Sequence, residues 1–128
     1  MIEASKVNKI EFITKWVETL RTTDIKQGRN CLSSETGDCC LGIACRVGEA
    51  MNIEGAGFGP TTHQETYYYF PGQWFSDIMG YRTVDVSHPS LSTPKDIAIL
   101  NDDARWSFAQ IAHALEYTFL RTPSEPTP

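Results

Sequence analysis

The sequence predicts a single α+β domain in which three or four helices pack with a small antiparallel sheet. Segments with helical periodicity lie towards both ends of the 128-residue chain, and short runs rich in aromatic and β-branched residues lie between them. A chain of this length forms one domain with one core. Apolar residues make up 41% and charged residues 21%, a balance that favours folding over disorder. We expect the domain to span residues 1–121 and a proline-containing disordered tail to span residues 122–128.

Residues 8–22 are predicted to form an amphipathic first helix. Asn8 and Glu11, three residues apart at its start, have the pattern of a capping box. The apolar residues of this segment fall on one helical face, which we expect to dock on the core. They are Ile10, Ile13, Trp16, Val17 and Leu20.

A short hairpin is predicted for residues 31–39, and it leads into a second helix at about 39–51. The turn between the two halves of the hairpin is polar and ends at Gly37. Asp38 is a good N-cap residue, and apolar residues recur behind it at helical spacing. Gly42 would allow this helix to approach a neighbouring segment closely.

The middle of the chain is predicted to be less regular. Tyr67–Phe70 has the aromatic density of a strand. Pro71 is well placed as the first residue of a short helix, and Gly80 ends that helix. Residues 81–86 predict another strand, and residues 87–90 predict a turn.

A final helix is predicted to begin at Ser107, which forms an S-x-x-Q capping box with Gln110. We expect apolar residues before this helix in the core, and apolar residues at helical spacing within it on its buried side. The first group is Ile97, Ile99 and Leu100, and the second is Phe108, Ile111, Ala112, Leu115 and Phe119.

Composition and charge exclude several classes of protein. The formal net charge of −5 argues against a general nucleic-acid binder, which needs a basic face. No run approaches the roughly 20 apolar residues of a membrane span, and the N-terminus lacks the pattern of a signal peptide. We therefore expect a cytoplasmic protein with mostly free thiols. The cysteine spacing C-x7-C-C-x4-C matches no zinc motif, so we expect neither a metal nor a cofactor.

Cys39 and Cys40 are the candidate catalytic residues. A cysteine in the first turn of a helix lies beside unpaired backbone N–H groups and the positive end of the helix dipole, which lowers the pKa of its thiol. This placement favours a cysteine hydrolase as one alternative, with His63, His88 or His113 as the base. In the other interpretation the cysteines are small, readily buried apolar residues.

Three further groups of residues are candidates for binding. An aromatic group could stack a base or anchor a partner, although core packing explains it as well. Its members are Tyr67, Tyr68, Tyr69 and Trp74. Lys26 and Arg29, near the start of the second helix, could hold a phosphate, or they could form a solvated basic loop. Residues 101–103 could bind a divalent cation, or they could form a turn ahead of the final helix.

Four motifs occur in order along the chain. They are Lys15-Trp16-Val17-Glu18-x-Leu20-Arg21, Lys26-Gln27-Gly28-Arg29, Cys39-Cys40-Leu41-Gly42-Ile43-x-Cys45, and Leu100-Asn101-Asp102-Asp103 with Ser107-Phe108-Ala109-Gln110-Ile111-Ala112. Together they resemble a family of small bacteriophage and prophage proteins that carry W-V-x-A-L-R, K/Q-G, C-C-L-G-V-x-C and L-N-D-x-x-x-S-F-x-x-I-A elements. Arg46 stands where that pattern leads us to expect an acidic residue. The resemblance implies a phage context and carries no established activity.

We expect a small phage-type accessory protein, including an anti-defence protein, that acts without catalysis. Its partner would be a host protein or a small nucleotide-like ligand, and a homo-oligomer is a further option. We expect the interaction surface in the middle segment, about 58–83, because aromatic residues of the kind enriched at binding hot spots concentrate there. The alternative is a cysteine hydrolase with its nucleophile at Cys39 or Cys40.

Overall fold

Five α-helices and two separate antiparallel sheets of two strands each surround one core in the computed structural model, which describes residues 1–57 and 70–120. The helices are α1 (Lys9–Thr22), α2 (Cys40–Ala50), α3 (Gln73–Met79), α4 (Ile97–Asp102) and α5 (Phe108–Leu115). The strands are β1 (Ser33–Ser34), β2 (Gly37–Asp38), β3 (Asp85–Val86) and β4 (Lys95–Asp96). The expected α+β class is confirmed, although two small sheets take the place of one.

The first helix, α1, packs against α5 and α2 at the centre of the fold. Its start is capped as expected, because the Asn8 side chain accepts a hydrogen bond of 2.9 Å from the Glu11 backbone N–H. The expected buried face is wrong at one edge, where Ile10 remains 51% exposed and Phe12 is fully buried instead. The reason is tertiary, since α3 packs beside Phe12 and places the rings of Trp74 and Phe75 against it.

Four aromatic rings join α1 to α3. Phe12 lies 5.7 Å from Trp74 and 6.2 Å from Phe75 between ring centroids, and Trp16 lies 5.7 Å from Phe75. All three pairs meet edge to face, the arrangement that the ring quadrupoles favour. The indole N–H of Trp16 donates 3.0 Å to the carbonyl oxygen of Cys40, so α1 also holds the start of α2.

The hairpin before α2 is present, with Ser33 opposite Asp38 and Ser34 opposite Gly37. The expected cap is wrong, because the N-cap residue is Cys39 and its side chain makes no capping bond. Asp38 instead turns its carboxylate towards Arg46, a charged partner that outweighs the bond to a backbone N–H.

The segment around α3 and β3 is less regular than expected. Gly72 is the N-cap residue of α3, so Pro71 precedes the helix instead of starting it. Gly80 ends the helix as expected, with φ of 91° and its N–H donating 2.7 Å to the Ser76 carbonyl. The strand expected over residues 81–86 is reduced to Asp85–Val86.

The start of α5 follows from local signals more closely than the start of α3 does. Ser107 and Gln110 form the expected reciprocal capping box at the start of α5. The expected core residues of α4 are correct except for Ile99, which is 49% exposed because it lies on the solvent side of this short helix. Phe119 lies in a π-helical turn, Glu116–Leu120, and is half-buried. The strand expected at 67–70 and the tail expected at 122–128 fall largely or wholly outside the described residues.

A close approach between α2 and the hairpin gives the first testable prediction. A Cβ atom at Gly42 would lie only 1.9 Å from the backbone carbonyl oxygen of Leu32, so Gly42→Ala must displace backbone. We expect it to lower the free energy of unfolding by about 3 kcal/mol, measured by urea denaturation. Gly72→Ala is the control, because its Cβ would make an ordinary contact of 3.5 Å with Trp74. Equal losses in the two variants would contradict this packing.

Candidate functional site

A fully buried side-chain amide, that of Asn101, lies where the chain segments meet. Its Oδ1 accepts hydrogen bonds from Gln27 Nε2 at 2.7 Å and from the Cys40 backbone N–H at 3.2 Å. Its Nδ2 donates to the Gly28 carbonyl at 3.0 Å and to Asp102 Oδ1 at 2.8 Å. Both donors and both acceptor positions of the amide are therefore satisfied, as a buried polar group requires.

The loop after α1 is fixed by the same network. Gln27 Nε2 also donates 2.8 Å to the carbonyl oxygen of Trp106, ahead of α5. The Gly28 N–H donates 2.7 Å to the Asp38 carbonyl, and the Asp38 N–H donates 3.0 Å to the Lys26 carbonyl. Residues 26–28 therefore run alongside β2. Gln27 also brings the motif at residues 26–29 into contact with the motif that contains Asn101.

The structure bears out part of the turn expected at residues 101–103. Asp103 lies in the turn ahead of the final helix, whereas Asn101 and Asp102 form the last turn of α4, which Asn101 ties to α2. Asp102 Oδ1 accepts from the Asn30 backbone N–H at 2.9 Å as well as from Asn101. Among residues 1–57 and 70–120, no group of three or more His, Cys, Asp or Glu side chains is arranged to hold a metal ion.

Asp38 is a second buried polar centre beside the first. Its carboxylate accepts hydrogen bonds from Arg46 and, at 2.8 Å, from the Ser33 hydroxyl. The hydrogen bond to Asp38 raises the pKa of Arg46, so the guanidinium stays protonated. Arg46, which stands where the motif pattern leads us to expect an acidic residue, therefore compensates the buried charge of Asp38.

The candidate nucleophiles lie inside the core. Cys39 is 5% exposed, and Cys40 and Cys45 are fully buried. Burial raises the pKa of the Cys39 thiol to about 12, although the N–H groups of Gly42 and Leu41 act to lower it. The pKa values of Cys40 and Cys45 are raised for the same reason. The expected lowering of the thiol pKa is wrong, because desolvation outweighs the helix terminus.

The phosphate site considered for Lys26 and Arg29 lacks donors at the start of α2. The first backbone N–H there, on Cys40, is already bonded to Asn101, and the nearby Asp38 carboxylate would repel an anion. Lys26 is exposed, and Arg29 is half-buried. The Arg29 Nε atom is buried and has no hydrogen-bond partner in the described part of the chain.

The aromatic candidates divide into two groups. Tyr67, Tyr68 and Tyr69 fall outside the described residues. Trp74 is only 3% exposed, so its assignment to a binding surface is wrong: the ring fills the space beside Phe12 and Gly48. In this region the sequence interpretation missed the exposed residues Tyr81 and Arg82, which it assigned to a strand.

Phe70, Tyr81 and Arg82 form a group that we call the aromatic–arginine surface, in which Tyr81 and Arg82 are exposed and Phe70 is half-buried. The Arg82 guanidinium lies 4.4 Å from the centroid of the Phe70 ring and 5.6 Å from that of the Tyr81 ring. Tyr81 is 60% exposed. Beside it lies an open cavity of about 250 Å³, which is also lined by Met79, Thr83, Val84, Asp85, Asp96 and Phe119. This arrangement presents the Tyr81 ring and one cation to solvent.

The two described histidines, His88 and His113, contact each other. His88 Nε2 lies 3.0 Å from His113 Nδ1, and Ser90 contacts the other ring nitrogen of His88. His63 lies outside the described residues. The hydrogen bonds of these two rings join them to each other and to Ser90, and the Cys40 thiol contacts the Ile97 carbonyl oxygen.

Comparison with known proteins places the chain in a family. A domain of unknown function, DUF8296, matches residues 8–119, and the chain belongs to this family. No curated protein and no solved structure matches the chain. Within residues 1–57 and 70–120, none of the helices has the length and apolar character needed to cross a membrane.

The Asn101 network predicts a large loss of stability on truncation. Asn101→Ala leaves the Cys40 N–H and the Gly28 carbonyl buried without this partner. We expect the free energy of unfolding to fall by about 3 kcal/mol in denaturant titrations. Asn8→Ala is the control, because it removes an exposed cap worth about 1 kcal/mol. A loss no greater than that of the control would show that the network contributes little.

Thiol burial predicts selective alkylation. In the native protein at pH 7.5, iodoacetamide should modify the half-buried Cys31, which serves as an internal control, and leave the buried cysteines unmodified. Mass mapping of the peptides measures each site, and all four should react after denaturation. Native modification of Cys39 or Cys40 as fast as Cys31 would contradict their burial and favour a nucleophile.

Proposed function

We propose that this protein acts by binding a partner, without catalysing a reaction, and that the aromatic–arginine surface forms part of the binding site. The observation that carries the proposal is the exposure of Tyr81 beside the Arg82 guanidinium. Tyrosine and arginine are enriched at binding hot spots because each combines a large apolar surface with hydrogen-bonding groups.

The surface is supported by rigid structure. Phe70 precedes α3 and Tyr81 follows it, and α3 is anchored in the core by Trp74 and Phe75. The stacking of Arg82 on Phe70 restricts the arginine before any partner arrives. A side chain that is already ordered loses less entropy on binding, so this arrangement favours association.

The chemistry of the surface indicates two kinds of partner. An exposed guanidinium on a chain of net charge −5 selects a carboxylate or a phosphate at this place. A host protein with an acidic and apolar segment would satisfy it. A small nucleotide-like ligand would also do so, because Tyr81 can stack a base and Arg82 can hold a phosphate.

The setting of this binding is also part of the proposal. The motif resemblance supports a phage-type accessory role, including an anti-defence role, in the cytoplasm of the host cell. All four cysteines lie in the described residues and are free thiols, which agrees with a reducing compartment. For the alternative, a cysteine hydrolase, the raised pKa values of Cys39 and Cys40 are unfavourable, since the thiolate is the nucleophile.

Native mass spectrometry tests the binding function. Wild-type protein purified from infected cells should carry a partner, with an added mass of a few hundred daltons for a nucleotide and many kilodaltons for a protein. Tyr81→Ser and Arg82→Ser should each lower the occupancy at least tenfold, because each removes a hot-spot contact at the surface. Their melting temperatures should stay within a few degrees of wild type.

Ile10→Ser is the matched control, since Ile10 is similarly exposed but lies on α1. It should retain the partner. The proposal is wrong if the Tyr81 and Arg82 variants carry the partner at wild-type occupancy, or if the control loses it equally.

A further inference from the structure

Two imidazole nitrogens, from residues outside the aromatic–arginine surface, face each other on the surface of the protein. His88 lies in the turn after β3, and His113 lies on α5. The distance from His88 Nε2 to His113 Nδ1 is 3.0 Å, and the two rings are inclined by 78°. His113 is exposed and His88 is half-buried, so solvent ions can reach the pair.

The separation of the two rings is held by the backbone around them. The turn is closed by a 2.9 Å bond from the Leu91 N–H to the His88 carbonyl. Ser87 bonds reciprocally with the Thr118 hydroxyl, at 2.9 Å through its N–H and at 3.1 Å through its carbonyl, which fixes the turn to the end of the C-terminal helix. The ring of His88 also packs edge-on against Trp106.

This separation matches one edge of a metal coordination shell. Two nitrogens bound to one ion at about 2.1 Å lie about 3.0 Å apart in an octahedral site and about 3.4 Å apart in a tetrahedral site. The observed distance of 3.0 Å equals the octahedral separation. We propose that His88 Nε2 and His113 Nδ1 form a two-histidine site for a transition-metal ion such as Ni²⁺ or Zn²⁺.

The protons of the pair can be followed. The Ser90 backbone N–H donates to His88 Nδ1 at 3.2 Å, so the proton of the neutral His88 ring is on Nε2 and points to His113. On metal binding this proton moves to Nδ1, which then donates a hydrogen bond to the Ser90 hydroxyl oxygen 2.7 Å away and gives up the bond from the Ser90 backbone N–H. No net proton is released, and Ser90 orients the liganding ring as an outer-shell partner does.

The two rings supply only part of a coordination shell. No third His, Cys, Asp or Glu side chain within the described ranges completes a ligand set, so water fills the remaining positions. Binding here would join the turn to α5 and would not require the proposed partner site.

Calorimetric titration of the untagged protein with NiCl₂ at pH 7.5 tests this site. We expect one ion per chain, with the affinity lowered at least tenfold in His88→Ala and in His113→Ala. His113 is exposed on its helix, so its variant should fold, and circular dichroism checks this. Ser90→Ala should weaken binding by a smaller factor, because it removes only the orienting hydroxyl.

His63→Ala is the matched control, since it removes the third histidine and should keep wild-type affinity. The site is wrong if the wild type binds no nickel, or if the double variant of His88 and His113 binds it as tightly as the wild type. It is also wrong if His63→Ala alone abolishes binding. None of these results bears on the binding of the partner at Tyr81.

Discussion

The fold depends on one fully satisfied amide, the side chain of Asn101, which joins segments that are far apart in sequence. It bonds the loop after α1, the first N–H of α2 and the residue that follows it in α4. A buried amide is costly unless every donor and acceptor finds a partner, so this arrangement tolerates few alternatives. Cys40 shows the effect, because its N–H bonds Asn101 while its carbonyl accepts from Trp16.

The same packing decides which chemistry the chain can present. The start of α2 has the helix dipole that would activate a thiol, but desolvation raises the pKa of Cys39 instead. The exposed aromatic and cationic groups lie elsewhere, at Tyr81 and Arg82, just after a helix that is anchored in the core. Because the chain belongs to a domain family of unknown function, the proposed binding role rests on this surface.

Local signals in the sequence determined the α+β class and several helix ends. The capping residues Asn8 and Ser107 start their helices as expected, and Gly80 ends α3. Each of these signals acts between residues at most four apart, so the sequence contains the whole interaction. The hairpin before α2 is likewise local, because its strands are joined by a two-residue turn.

Contacts between distant segments decided the rest. At one edge of the buried face of α1, Phe12 is buried in place of Ile10 because α3 packs beside it. Asp38 pairs with Arg46 and does not cap α2. The burial of Trp74 and the exposure of Tyr81 depend on how α3 is placed on the core. The sequence alone determined the helices α1, α2 and α5 and the apolar character of the segment that forms α4. Only the tertiary structure decided which side chains lose water, because desolvation depends on every neighbour at once.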